Sequence, residues 1–179
     1  KMHPLWYSSF IPVFFFISSM FAGMSMVIFE GVLAHKGLHH KMDETHLREA
    51  DGVVLGFGKA AAFVMMGYLF IRFYGVAMDN NFRLLFTGYG AWFLLETLGF
   101  VALPAFMYAI GARERNLKLI RIGAVITVLG VVLNRFNVSQ VAFNYQLSPT
   151  ERYFPHWMEI GISIFVVTLI ITAYRFICT

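Results

Sequence analysis

Five long apolar stretches separated by shorter polar ones set the pattern of this chain. A helix needs roughly 20 apolar residues to cross a bilayer, and the stretches predict such helices over residues 5–33, 52–78, 84–111, 117–133 and 155–177. Period-two alternation is lacking, and the apolar runs are too long for barrel strands. The expected fold class is all-α: a polytopic transmembrane bundle of five helices, forming a single membrane domain over residues 1–179.

Composition supports the membrane reading. With 59% hydrophobic and 13% charged residues, the chain has more apolar surface than a soluble domain can bury. The first apolar stretch carries no cleavage-site pattern and is not read as a signal peptide. A chain opening on Lys1 is expected to be part of a longer polypeptide. One cysteine, Cys178, leaves no disulfide framework and no cysteine-ligated iron–sulfur cluster within the chain.

The basic residues predict an orientation. Alternating helices put the connections after the first and third helices on the same side as the C-terminus. That side carries Lys36, Lys41, Arg48, Lys59, Arg113, Arg115, Lys118, Arg121 and Arg175, against Lys1, Arg72, Arg83, Arg135 and Arg152 on the other. By the positive-inside rule the richer side is cytoplasmic. The net charge of +4 sits at helix ends, so it speaks of orientation and not of nucleic acid.

Small residues at helical spacing (Gly56 with Ala60, Gly58 with Ala62, Gly23 with Ser19) fit close helix packing in lipid, although glycine is common in membrane helices anyway. Pro104 should kink the third helix near Leu103 and free a carbonyl near Phe100.

Ionisable groups at membrane depth are costly and mark paths or sites. Glu96, near the centre of the third predicted helix, should face the bundle, where burial disfavours its charge unless a cation pairs with it. It is read either as a proton-handling group or as a structural hydrogen bond to a neighbouring helix. Glu30 and Lys59 lie near the cytoplasmic ends of the first two helices and could pair across them. Glu159, Glu96 and Glu30 then sit at outer, middle and inner depths, the arrangement that a proton path with Lys59 would need.

The stretch LNRFNVSQVAFNYQLSPTERYFPHWMEI, residues 133–160, sets many polar groups against membrane ends. It is expected to leave the fourth helix through Asn134 and Arg135 and to face a partner or redox site. His156 and Glu159, three residues apart, share a helix face. Together with Arg72, Asn134, Arg135 and Asn137 they form a candidate polar cluster at the outer side. Helix-end anchoring by snorkelling arginines is the competing reading.

Of the six histidines, His3, His35 and His156 fall at helix ends and His39, His40 and His46 in the first connection. None is placed for an axial ligand of a transmembrane b-type haem. The series HHKMDETH is read as a solvated loop and not as a metal site. Trp6, Tyr7, Tyr153, Phe154 and Trp157 are expected to form an interfacial aromatic belt, with stacking on a quinone ring as the alternative.

The segments HPLWYSSFIPVFFFISSMFAGMSMVIFEG (3–31), LNRFNVSQVAFN (133–144) and YFPHWMEIGISI (153–164) resemble the HybB-type membrane subunit of quinone-linked nickel–iron hydrogenases, within the wider NrfD/PsrC-like family. The resemblance covers essentially the whole chain but only the second half of a ten-helix member. It implies a haem-free, quinone-reactive membrane anchor of an oxidoreductase complex. Such a subunit exchanges electrons between a periplasmic ferredoxin-like iron–sulfur subunit, standing beside nickel–iron small and large subunits, and menaquinone. Some members are thought to couple this to proton movement. Glu30, Arg135, Asn137 and Glu159 lie within the matching motifs. The family's quinone pocket is generally placed in the first helical bundle, so menaquinone would be shared with that half or with a partner.

The function expected is an electron-transfer membrane subunit without bond chemistry of its own, in a bacterial or archaeal cytoplasmic membrane with its C-terminus inside. The alternatives are a polysulfide reductase, tetrathionate reductase or alternative complex III type of complex, an ion or proton transporter, or a passive anchor.

Overall fold

A computed structural model describes residues 4–8, 10–38, 44–142 and 156–178. The described residues form a polytopic helical bundle without strands. Helix α1 spans Ile11–Leu38 and α2 spans Glu44–Met78. A short 3₁₀ turn, Phe82–Phe86, leads into the third span, built from α3 (Gly88–Leu94), a π-helical segment (Leu95–Ala102) and α4 (Leu103–Arg113). Helix α5 covers Leu117–Asn137 and continues as a π-helical turn, Val138–Ala142; α6 covers Trp157–Cys178. Four stretches are long and apolar enough to cross a bilayer: Ile11–Val32, Glu49–Met78, Gly88–Arg113 and Leu117–Gln140. The shorter apolar helix Trp157–Ala173 makes the fifth.

Local chemistry explains where the spans begin. Thr87 caps α3 by accepting the Gly90 N–H, and Asn116 caps α5 by accepting the Leu119 N–H. Pro104 lies in the first turn of α4, and the π-helical segment directly upstream accommodates its missing N–H. The loosened turn brings Phe100 against Gly130 of α5, where a Cβ would collide with the Phe100 side chain and carbonyl. Gly58 likewise lies against Ile120. Gly56 and Gly23 face open space, so of the small-residue pairs expected at interfaces only Gly58 with Ala62 lies in one.

The first four spans pack α1 on α2 and α5, α2 on α4, and α4 on α5. Their shared core contains Phe21, Ile28, Met65, Tyr68, Tyr108 and Ile120. Tyr108 and Ser25 join α4 to α1 by a 2.7 Å hydrogen bond within it. A second cluster, Leu5, Trp6, Val76 and Phe93, closes the end of the bundle at which α1 begins. From His156 to Ala173 every residue is exposed.

Several expected boundaries move. The fourth helix does not end at Leu133 but runs through Asn137, so Asn134, Arg135 and Asn137 lie inside the span and not in a connection. Polar residues mark a helix end only when they have nothing to bond within the bundle, and here they have. Residues 143–155, including Tyr153 and Phe154, lie outside the described residues, as do 39–43 of the histidine-rich series. Its remainder begins α2.

Candidate functional site

The residues that cluster are those a membrane interior tolerates only in company. Glu96 occupies the second position of the π-helical segment and is 1% exposed. Both of its oxygens are filled. Oε1 accepts from Arg72 Nη2 at 2.7 Å and from Asn134 Nδ2 at 2.5 Å. Oε2 accepts from Asn137 Nδ2 at 2.7 Å and from Trp6 Nε1 at 3.2 Å. Four donors from the N-terminal segment, α2 and α5 thus converge on one carboxylate of the third span.

Arg72 is 7% exposed and is held by more than charge. Its Nη1 donates to the Tyr68 hydroxyl at 2.6 Å, one helical turn back, and its guanidinium lies 4.6 Å from the centroid of the Phe93 ring. Trp6 packs edge-on against the same Phe93, with ring centroids 5.6 Å apart. The aromatic residues shield the ion pair from bulk solvent, which strengthens it.

Arg135 points the other way from its neighbour Asn134. Its Nη2 donates to Ser18 Oγ at 3.0 Å and its guanidinium stacks 3.7 Å from the Phe15 ring centroid, both on α1. Among the described residues its Nη1 is buried with no hydrogen-bond partner, as is Thr97 Oγ1. Beside Arg135 and Arg72 lies a cavity of about 40 Å³, lined among others by Trp6, Ser18, Asn134 and Asp79. That volume holds one or two waters, which would complete the arginine's donors.

The expected cluster therefore divides. Arg72, Asn134 and Asn137 come together around Glu96, and Arg135 flanks them. His156 and Glu159 do not join: both are exposed, Glu159 on α6 and His156 just before it, and His156 makes local contacts, its ring 5.7 Å from that of Trp157. The graded series of carboxylates is also altered. Glu96 stands eight residues after Gly88 and seventeen before Arg113, so it sits about a third of the way along its span at the depth of Arg72, not at the centre. The early start counted at residue 84 had included the 3₁₀ turn. Glu30 and Lys59 are exposed and do not pair with each other.

Three contributors escaped the sequence reading. Tyr68 was legible from its spacing of four from Arg72. Trp6 had been assigned to the interfacial belt but is buried; nothing in a single sequence separates the two roles. Ser18 carried no signal. Tyr7 and Trp157 are exposed as a belt requires. Among the described residues no group of three or more His, Cys, Asp or Glu could hold a metal ion.

Comparisons with known proteins place this site in a family. Residues 1–144 match the family described as "Polysulphide reductase, NrfD". The chain is 69% identical over its full length to a protein of Nitratidesulfovibrio vulgaris (strain Hildenborough), covering 46% of that protein. It is 29% identical over 97% of its length to the probable Ni/Fe-hydrogenase 2 b-type cytochrome subunit of Escherichia coli K12, covering 43% of it. Over 62% of its length it is 30% identical to the integral membrane subunit of menaquinone reductase from Nitratidesulfovibrio vulgaris (strain Hildenborough), covering 30% of it. The chain thus spans less than half the length of these curated relatives. No solved structure matches it. It is an integral membrane protein of helical build, and it belongs to the NrfD family, with HybB-type membrane subunits among its relatives.

Proposed function

We propose that this chain is the second half of a haem-free membrane subunit linking a periplasmic iron–sulfur electron carrier to the menaquinone pool, in a hydrogenase-type respiratory complex. The observation that carries this reading is the buried Arg72–Glu96 pair with its four-donor carboxylate. A membrane anchor with no other task gains little from a buried ion pair, because well-packed apolar residues would serve its stability as well or better. Relatives named as hydrogenase and menaquinone reductase subunits support the redox setting. The second name equally favours a non-hydrogenase NrfD complex of the polysulfide or tetrathionate reductase or alternative complex III type. The name of the Escherichia coli relative includes a b-type cytochrome, whereas the histidine positions here support a haem-free chain.

The cavity beside the cluster does not fit a quinone head. Sites for such ligands occupy about 300–1,000 Å³, against about 40 Å³ here. Menaquinone binding is therefore assigned to a site shared with the other half of the subunit or with a partner. This half supplies the charged cluster, which we assign to the proton side of the exchange. Protonating Glu96 puts a hydrogen on an oxygen already filled by two donors, Arg72 and Asn134 on Oε1 or Asn137 and Trp6 on Oε2, so any proton step there is coupled to rearrangement of the cluster. Glu159, Glu30 and Lys59, exposed on this chain, enter a proton path only across an interface with the rest of the complex. The charge asymmetry supports a cytoplasmic C-terminus, with the cluster nearer the periplasmic side.

Affinity purification of the intact subunit from membranes tests the reading. Co-isolation of a ferredoxin-like iron–sulfur subunit with nickel–iron subunits, and donor-dependent reduction of a menaquinone analogue without a reduced b-haem band, are expected. Isolation without any redox partner, or with haem, overturns it.

A further inference from the structure

At the opposite end of the bundle from Glu96, α2 and α4 run side by side and leave an open groove of about 610 Å³. Its floor is apolar: Ala62, Phe63 and Met66 from α2, with Ala109 and Ala112 from α4. Its rim carries Lys59, Arg113 and Arg115, and among the described residues no carboxylate lines it. None of these three cations makes a hydrogen bond or ion pair among the described residues, whereas nearby Arg121 is bound to Asp51 at 3.0 Å. Three free cations share the mouth of a greasy channel.

Arg115 is held there at a steric cost. It closes α4 with φ of +53°, in the left-handed region, while Asn116 N–H bonds back to Gly111 O and Glu114 N–H to Ile110 O, each at 2.8 Å. That position at a helix end ordinarily carries glycine. A β-carbon there is disfavoured, so the arginine is present in spite of the backbone and not because of it.

We propose that this groove binds an anionic phospholipid. Its phosphate sits among Lys59, Arg113 and Arg115, and an acyl chain lies along Phe63, Met66 and Ala109. The polarity runs as a lipid's does. Arg113 and Arg115 are at the end of α4, where headgroups lie, Lys59 of α2 lines the same mouth, and Met66 is seven residues deeper than Lys59, about 10 Å toward the membrane middle. Charge complementarity selects an anionic headgroup over a zwitterionic one. A partner protein could cover the same groove, and the experiment separates the two.

The test uses the intact subunit in nanodiscs of phosphatidylcholine with increasing phosphatidylglycerol, reading bound lipid by native mass spectrometry and the melting temperature. Wild type should retain phosphatidylglycerol and melt higher as its share rises. Lys59→Gln with Arg113→Gln and Arg115→Gly should lower apparent affinity by about 100-fold, taking each cation at about fivefold. Arg115→Gly alone should lose about fivefold yet melt no lower than wild type in pure phosphatidylcholine, because glycine suits the backbone there. That split excludes misfolding as the cause. Equal gains from phosphatidylglycerol in wild type and triple variant overturn the proposal. So does a photo-crosslinker at position 63 that captures protein and no lipid.

Discussion

Replacing Arg72 with methionine keeps a side chain of similar length against Phe93 and removes the cation facing Glu96. At 2.7 Å and an effective dielectric constant of ~20, the direct attraction is about 6 kcal/mol, which sets a ceiling on the loss. Desolvation of both charges offsets part of it, so the measurable cost of breaking one side of the buried pair is about 3–5 kcal/mol. Glu96→Gln should cost a similar amount, because it strands Arg72 and turns an amide donor toward Trp6 and Asn137, which are donors themselves. The double variant Arg72→Met with Glu96→Gln removes both charges and leaves a neutral amide that can pair with Asn134 and Asn137. It should therefore be more stable than the sum of the single changes predicts, by about 2–3 kcal/mol. Reversible unfolding in mixed micelles, with helicity as the readout, completes the cycle. Additive effects within about 0.5 kcal/mol would refute the claim that the two side chains stabilise each other.

Other sites should respond by smaller and different amounts. Trp6→Phe keeps the ring against Phe93 but removes one donor to Glu96, costing about 1–3 kcal/mol in the same unfolding assay. Gly130→Ala forces a methyl into the Phe100 side chain and carbonyl; a loss of about 1–3 kcal/mol is expected, measured with Gly56→Ala as a near-neutral control in open space. Asp51→Asn breaks a pair whose members are 44% and 29% exposed, so the change should stay below about 1 kcal/mol and shrink further at high salt.

The fold was largely legible in the sequence because lipid imposes a single rule, that long apolar runs become helices, on every span. The inward turn of Glu96 and its need for a cation were also foreseeable, since an unpaired carboxylate at that depth is too costly to persist. Which cation would answer it was not. Arg72 had been read as one member of a helix-end cluster because a chain scan measures depth from the first apolar residue, and the 3₁₀ turn at Phe82–Phe86 displaced that origin. The end of α5 failed for a related reason. Asn134, Arg135 and Asn137 look like a polar exit when considered singly, yet each finds a partner or a cavity across the bundle. Trp6 marks the limit of the approach, because a belt tryptophan and a buried donor share the same local sequence.

If the charges around Glu96 serve energy coupling and not only the fold, removing them should uncouple proton movement from electron transfer. The double variant Arg72→Met with Glu96→Gln is suited to test it, since it removes both charges and strands neither. In proteoliposomes containing the assembled complex, the decisive measurement is protons moved per electron delivered to a menaquinone analogue, followed with a pH indicator. The assembled double variant should still pass electrons but lose proton movement. An unchanged ratio of protons to electrons would contradict it and leave the cluster a structural device.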